Sequence, residues 1–168
     1  GLLLEKKAET AFRNPALIAT ALIVLGILLW LADKLARSDR PLAGMTWTDA
    51  IVIGCAQVFA LIPGVSRSGS TITAGRALGL DRNAAAAFSF LLSMPIIAAA
   101  VILKVPHVMR ETGMNAPLLV GVAASAISGW LAISVLLKYV SRHSYGVFAL
   151  YRIVLGLAVL AIYFARGG

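Results

Sequence analysis

The residue types most capable of chemistry are concentrated in one short segment, residues 63–71, which reads PGVSRSGST. Arg67 is the only charged residue in this segment, and hydroxyl residues and glycines surround it. A guanidinium group presents a planar fork of N–H donors that matches the oxygens of a phosphate group. Gly64 and Gly69 allow a close backbone approach, and a helix that begins at Ser66 adds unpaired backbone N–H groups. The segment therefore predicts an anion site that suits a phosphate.

The hydroxyl residues of this segment repeat at helical spacing on two faces of the predicted half-helix. They are Ser66, Ser70 and Thr73 on one face and Ser68 and Thr71 on the other. A helix that is polar on two faces is expected to border a polar cavity. Two other interpretations stay open: the hydroxyls bond back to carbonyls of their own helix, or Arg67 extends to the membrane surface. A nucleotide-binding P-loop is excluded, because Ser70 stands where its lysine belongs.

The composition of the chain places this segment in a membrane. Of 168 residues, 60% are hydrophobic and 13% are charged, and the net charge is +8. A soluble domain is roughly half apolar and about one quarter charged. The basic residues lie near the ends of long apolar runs, which indicates contact with lipid headgroups and not with nucleic acid. An arginine at membrane depth costs at least about 2.5 kcal/mol, so Arg67 is expected to have a function.

The apolar runs predict an all-α integral membrane protein with four transmembrane helices and one re-entrant helical hairpin. The transmembrane helices are expected at about residues 15–35, 84–105, 117–138 and 145–165, and the hairpin at about residues 48–78. The hairpin is predicted because two half-length helices meet at Pro63-Gly64, and non-helical backbone at membrane depth must be buried or line a cavity. His107 and Arg110 fall in a predicted loop, and Pro95 is a predicted kink.

Residues outside this segment add to the predicted site or to the packing around it. Gln57 lies near the Pro-Gly break, where we expect it to contact the ligand. Arg152 lies about two turns into the last helix, where it lines the same cavity or reaches the membrane surface. Three small residues at four-residue spacing predict a face for close helix packing. They are Gly121, Ser125 and Gly129.

Residues 63–71 resemble the P-G-x-S-R-S-x-x-T motif of the bacterial undecaprenyl-diphosphate phosphatase family that is associated with bacitracin resistance. The similarity continues at Ala56-Gln57, at residues 88–92 with Pro95, and from Tyr151-Arg152 to Gly156, so it extends through nearly the whole chain. The resemblance implies a fold of inverted repeats, each with a re-entrant hairpin. This chain would supply the second repeat.

The resemblance also implies which residues form the site. The expected catalytic residues are Ser66, Arg67 and Ser68. The expected substrate-binding residues are Gly64, Gly69, Ser70 and Thr71. Gln57 and Arg152 are added to this set because of their positions in the sequence. Either serine would attack the phosphorus, or both would donate hydrogen bonds while a water attacks. A divalent metal, Mg or Ca, is implied, but the acidic residues all lie at the ends of predicted spans or in loops, so its ligands are expected outside this chain.

The implied activity is hydrolysis of undecaprenyl diphosphate to undecaprenyl phosphate and inorganic phosphate, which recycles the lipid carrier of cell-wall synthesis. The chain is expected to form a single membrane domain in the bacterial inner (plasma) membrane. Its expected partners are a polyprenyl diphosphate substrate and membrane lipids, and assembly into a homo-oligomer is left open. The family's site also needs a glutamate-rich motif and a histidine from an N-terminal repeat. Because these are missing and the chain begins with Gly1, we expect it to be N-terminally incomplete and inactive alone.

A transporter or flippase of an anionic prenyl lipid is the alternative function. Broken half-helices whose N-termini point at an anion are a pattern that transporters share.

Overall fold

The computed structural model describes residues 14–36, 40–113 and 115–166. These residues are almost entirely helical and form no strand beyond an isolated bridge between Arg40 and Leu80. The helices are α1 (Pro15–Leu35), α2 (Trp47–Ala56), α3 (Arg67–Ala77), α4 (Arg82–Thr112), α5 (Ala116–Val140) and α6 (Gly146–Ala165). Two short 3-10 helices, Leu42–Gly44 and Gln57–Leu61, lie before and after α2.

Helices α1, α4, α5 and α6 are long and apolar enough to cross a membrane. The prediction of an all-α membrane protein with four spanning helices is therefore confirmed. The starts of three of them follow from side-chain caps, which satisfy backbone N–H groups of the first turn. Asn14 accepts from the N–H of Ala16 at 2.9 Å, and Asp81 accepts from the N–H of Ala84 at 2.7 Å. Asn115 caps α5 in the same way.

Helix α4 extends further than the sequence predicts. His107 and Arg110 belong to this helix and not to a loop, so their assignment to a loop is wrong. Polar side chains are compatible with a helix end at the membrane surface, and they do not stop it. The helix ends at Gly113, whose φ of +66° is strained for any other residue.

Helices α1 and α6 pack closely because each carries a glycine at the crossing. A Cβ atom on Gly26 of α1 would lie 3.1 Å from the carbonyl oxygen of Ala149, and one on Gly156 of α6 would lie 2.8 Å from that of Ala19. Such small-residue contacts are typical of helix pairs in membranes. By contrast, apart from the backbone of their own helix and their chain neighbours, no described atom lies within 4 Å of the Cβ positions of Gly121 and Gly129, so that predicted packing face is open in the described part of the chain.

The segment between α1 and α4 contains the broken pair of short helices. The chain runs from α2 through the 3-10 helix Gln57–Leu61, turns at Pro63-Gly64 and begins α3 at Arg67. Gly64 has a φ of +91°, and a Cβ atom there would lie 2.5 Å from the carbonyl oxygen of Ile18 in α1. Glycine is therefore required both by the turn and by its contact with α1. That the pair returns to the side from which it enters the membrane stays a prediction.

A buried carboxylate fixes the far end of α3. Asp33, near the end of α1, accepts from the Nε atoms of Arg76 and Arg82, at 3.0 and 2.9 Å, and from the N–H of Tyr145 at 3.0 Å. Arg76 is fully buried, and its two Nη atoms donate to the carbonyls of Leu80 and Asp33. One carboxylate thus joins α1, α3, α4 and the start of α6.

A second ion pair fixes the start of α2. Arg40 donates to Asp49 at 2.5 Å and to the carbonyl of Leu78 at 3.0 Å. Asp49 also forms a capping box with Thr46. The hydrogen bond from Arg40 and those from Thr46 lower the pKa of Asp49 to about 2. The first helix of the broken pair is therefore attached to the end of the second.

Candidate active site

Arg67, the first residue of α3, extends its side chain between α2 and α4. Its Nε atom donates to Oε1 of Gln57 at 2.9 Å, and its Nη2 atom donates to the carbonyl oxygen of Leu92, also at 2.9 Å. Arg67 and Gln57 line a cavity of about 410 Å³. The other lining residues are Gly54, Val58, Ala60, Leu61 and Ile96. The arginine is therefore partly buried and borders an open, largely apolar cavity.

Ser66 and Ser68 lie at the N-terminus of α3. Ser66 is the N-cap, and its Oγ atom accepts from the N–H of Gly69 at 3.3 Å. The Oγ atoms of Ser66 and Ser68 are 3.2 Å apart. In the first turn of a helix the backbone N–H groups have no carbonyl four residues earlier in the same helix. The positive end of the helix dipole adds to the Arg67 charge at this point.

The remaining hydroxyls of the motif are bonded within the protein. Ser70 and Thr71 are buried, and both donate to the carbonyl oxygen of Arg67, at 2.9 and 3.0 Å. Thr71 also lies 2.7 Å from the hydroxyl of Ser89 on α4, and Thr73 donates to the carbonyl of Gly69. The hydroxyl groups of Ser70, Thr71 and Thr73 thus donate hydrogen bonds to carbonyls of α3 itself. They do not form the expected row of hydroxyl groups along a polar cavity.

Arg152 reaches the same helix from α6. A Cβ atom on Gly69 would lie 2.9 Å from Nη2 and 3.0 Å from Cζ of Arg152, so the guanidinium occupies the space that the glycine leaves. Its Nη1 atom is buried and has no hydrogen-bond partner among the described residues. An unpaired buried N–H group is costly and requires an explanation. Positions 67 and 69 are about 200° apart around a helix, so the two arginines lie on opposite sides of the first turn of α3.

A larger apolar groove of about 750 Å³ lies between α1 and the broken pair. Its walls include Val24 and Leu28 of α1, Phe59 and Ile62 of the break, and Ala74 of α3. The polar atoms that border it belong to residues whose hydroxyls already bond to their own helices, such as Ser70. This groove suits a hydrocarbon chain.

The described residues do not form a metal site of their own. No three His, Cys, Asp or Glu side chains come together within the described ranges. The groups that contact Arg67 are two uncharged oxygen acceptors, so the guanidinium keeps its positive charge, which suits an anion and not a cation.

Of the nine predicted site residues, six come together at the start of α3, and three take other positions. The six at the first turn are Ser66, Arg67, Ser68, Gly69, Gln57 and Arg152. Gly64 contacts α1 and not a cavity, while Ser70 and Thr71 are bonded inside the fold. The carbonyl of Leu92 was not predicted, because a main-chain acceptor leaves no mark on residue type. Pro95 marks only the neighbouring carbonyl of Leu91, since a proline lacks the N–H that would bond to the carbonyl four residues earlier.

The four helices long and apolar enough to cross a membrane define the chain as a multi-pass membrane protein. A family model described as bacitracin resistance protein BacA matches residues 1–158, and the chain belongs to this family.

The chain is also similar in sequence to curated proteins that share one name. The protein named undecaprenyl-diphosphatase of Gemmatimonas aurantiaca is 61% identical over 99% of this chain and 62% of its own length. The protein of the same name from Pelotomaculum thermopropionicum is 49% identical over the same shares. The chain thus spans about three fifths of the length of these relatives.

Proposed function

We propose that this chain forms the diphosphate-binding part of an enzyme that hydrolyses undecaprenyl diphosphate to undecaprenyl phosphate and inorganic phosphate. The observation that carries the proposal is a contrast among the arginines. Arg40, Arg76 and Arg82 each pair with an aspartate. Arg67 and Arg152 pair with no carboxylate of the described residues, although both lie against the N-terminal turn of α3. Two partly buried cations without counter-charges among the described residues, at a helix N-terminus, suit a ligand with several negative charges.

The reaction requires stabilisation of negative charge on the transferred phosphoryl group. A water oxygen bonds to the terminal phosphorus, the bridging P–O bond breaks, and undecaprenyl phosphate leaves with the electron pair. The water proton passes to the released phosphate or to solvent. Arg67 and the first-turn N–H groups of α3 neutralise the charge that develops on the phosphoryl oxygens, and Arg152 approaches from the other side of the turn.

We assign hydrogen-bond donation to Ser66 and Ser68 and assign the attack to water. A serine nucleophile needs an adjacent base that takes its proton. Among the described residues, the hydrogen-bond partners of these two hydroxyls are each other and the N–H of Gly69. An acid-quenched reaction with labelled substrate is expected to contain no phosphoserine at either position. Labelled Ser66 or Ser68 would contradict this assignment.

The prenyl chain of the substrate is assigned to the apolar groove between α1 and the broken pair. The groove holds about 750 Å³ and its walls are mostly hydrocarbon. Its border at Ser70 and the Arg67 site lie on the same short helix α3. A lipid can therefore enter from the bilayer with its headgroup directed to the start of α3. The proposed substrate also implies a bacterial inner membrane location and a role in recycling the cell-wall lipid carrier.

A divalent cation is implied by the resemblance, but the described residues offer no set of ligands for it. No step above therefore uses a metal. We place its ligands outside the residues that the structure describes.

The proposal is tested with the complete protein that contains this chain, purified in detergent and supplied with undecaprenyl diphosphate. We expect one inorganic phosphate to be released for each undecaprenyl phosphate formed. A carrier protein would instead move the lipid between the leaflets of a vesicle and release no phosphate. Lipid movement without phosphate release would overturn the proposed function, and the relatives' names give the carrier alternative no support.

A further inference from the structure

The structure shows how the guanidinium of Arg67 is held, and we propose that Gln57 and the main-chain carbonyl of Leu92 are its positioning groups. This inference rests on the proposed function, because it concerns how Arg67 is presented to the diphosphate. It replaces the expectation that Gln57 serves mainly as a direct ligand of the substrate.

The hydrogen bonds of Arg67 leave most of its donors for a ligand. A guanidinium group has five N–H donors. The Nε donor is used by Oε1 of Gln57 and one Nη2 donor by the carbonyl of Leu92. Within the described residues, both Nη1 donors and the second Nη2 donor stay unpaired, and three convergent donors match the oxygens of a phosphate group.

The partners of Arg67 are both uncharged, which separates this arginine from those with a structural role. Asp49 pairs with Arg40, and Asp33 supplies one negative charge shared by Arg76 and Arg82. An amide and a carbonyl can fix the orientation of a guanidinium group while its full positive charge stays available to the ligand. A carboxylate at the position of Gln57 would fix the orientation equally well but would reduce the attraction for a diphosphate.

Both partners lie where a helix is locally irregular. Gln57 is the C-cap of α2 and the first residue of the 3-10 helix that follows. The carbonyl of Leu92 lies in the turn of α4 before Pro95, whose missing N–H leaves the adjacent carbonyl of Leu91 without its helix donor. The two irregularities place an acceptor on each side of the Arg67 side chain.

A competing interpretation is that Gln57 binds the diphosphate directly through its amide N–H groups. The two interpretations differ in how Gln57 and Arg67 depend on each other. A residue that acts only through Arg67 loses its effect once the guanidinium group is gone, whereas a direct ligand keeps it.

The test is a double-mutant cycle in the complete protein. The probe is farnesyl methylenediphosphonate, a diphosphate analogue that cannot be hydrolysed, and its affinity is measured by titration calorimetry in detergent. We expect Gln57→Met to weaken binding about 10-fold in the presence of Arg67, and less than about 3-fold in an Arg67→Lys background. Equal losses in the two backgrounds, or no loss in the first, would overturn the proposal.

A charge variant separates positioning from a purely structural role. Gln57→Glu keeps an oxygen acceptor at the same length, so we expect an unchanged unfolding temperature but an affinity at least about 10-fold lower. Affinity equal to that of the wild type would contradict the proposal. Ser93→Ala on α4 is the matched control, since Ser93 bonds to the carbonyl of Phe90 and not to Arg67. Phosphate release by the wild type is measured first, and its absence would refute the proposed function. If the wild type is active and the affinity losses of the Gln57 and Arg67 variants simply add, only the proposed role of Gln57 is refuted.

Discussion

The guanidinium of Arg152 on α6 lies against the α-carbon of Gly69 on α3, in the space that a side chain at Gly69 would fill. This contact joins the last spanning helix to the N-terminal turn that carries the motif. Arg67 lies on the opposite side of the same turn, so two cations from different parts of the chain converge on one helix N-terminus. A substrate that carries two phosphate groups fits this arrangement better than one that carries a single phosphate group.

The Gly69→Ala variant tests this contact. The added methyl group would displace the end of a flexible side chain, and alanine is favoured over glycine in a helix by about 1 kcal/mol. We therefore expect an unchanged or slightly higher unfolding temperature but about 10-fold slower phosphate release. In an Arg152→Ala background the same change should have little further effect on the rate. A normal rate for Gly69→Ala would show that the position of Arg152 is not required.

The Asp33→Asn variant tests how the far end of α3 is fixed. Removal of the charge leaves two guanidinium groups without a counter-charge, and one of them, Arg76, is fully buried. Loss of one partner of a buried ion pair costs about 3–5 kcal/mol, so thermal unfolding in detergent should occur at a clearly lower temperature. Asp81→Asn is the control, because asparagine also caps a helix. Equal unfolding temperatures for the two variants would contradict this role of Asp33.

The Gly64→Ala variant tests the turn of the broken pair. Gly64 combines a φ of +91° with a Cβ position 2.5 Å from the carbonyl oxygen of Ile18. A left-handed conformation alone costs a non-glycine residue roughly 1–2 kcal/mol, and the backbone contact adds to this, so the variant should unfold at a lower temperature and lose activity. Gly121→Ala has open space around it and should be neutral or stabilising. If both variants behaved alike, the close contact between the turn and α1 would not exist in solution.

The spanning helices could be predicted from the sequence because each depends on a local signal. Uncharged runs of sufficient length predicted α1, α5 and α6, and the caps at Asn14 and Asp81 marked the starts of two helices. The end of α4 was predicted too early, since the polar residues after Val105 do not break a helix and only Gly113 ends it.

The site could be predicted in residue types but not in contacts. The exceptional arginine and its hydroxyl neighbours pointed to Ser66, Arg67 and Ser68 as a group. Which hydroxyl groups face the site and which bond within the protein depends on the helix that packs against α3. Thr71, for example, bonds to Ser89 of α4. The contact of Arg152 with Gly69 joins residues far apart in the sequence, and no periodicity in one helix can reveal it.

The turnover of Arg67→Ala in the complete protein tests the central claim most directly. Phosphate release from undecaprenyl diphosphate is measured alongside the unfolding temperature, with Arg166→Ala, an exposed arginine at the end of α6, as the matched control. Loss of the group that neutralises phosphoryl charge should slow turnover at least about 100-fold while folding is preserved, and the control should behave as the wild type. A folded Arg67→Ala enzyme that releases phosphate at the wild-type rate would contradict the account.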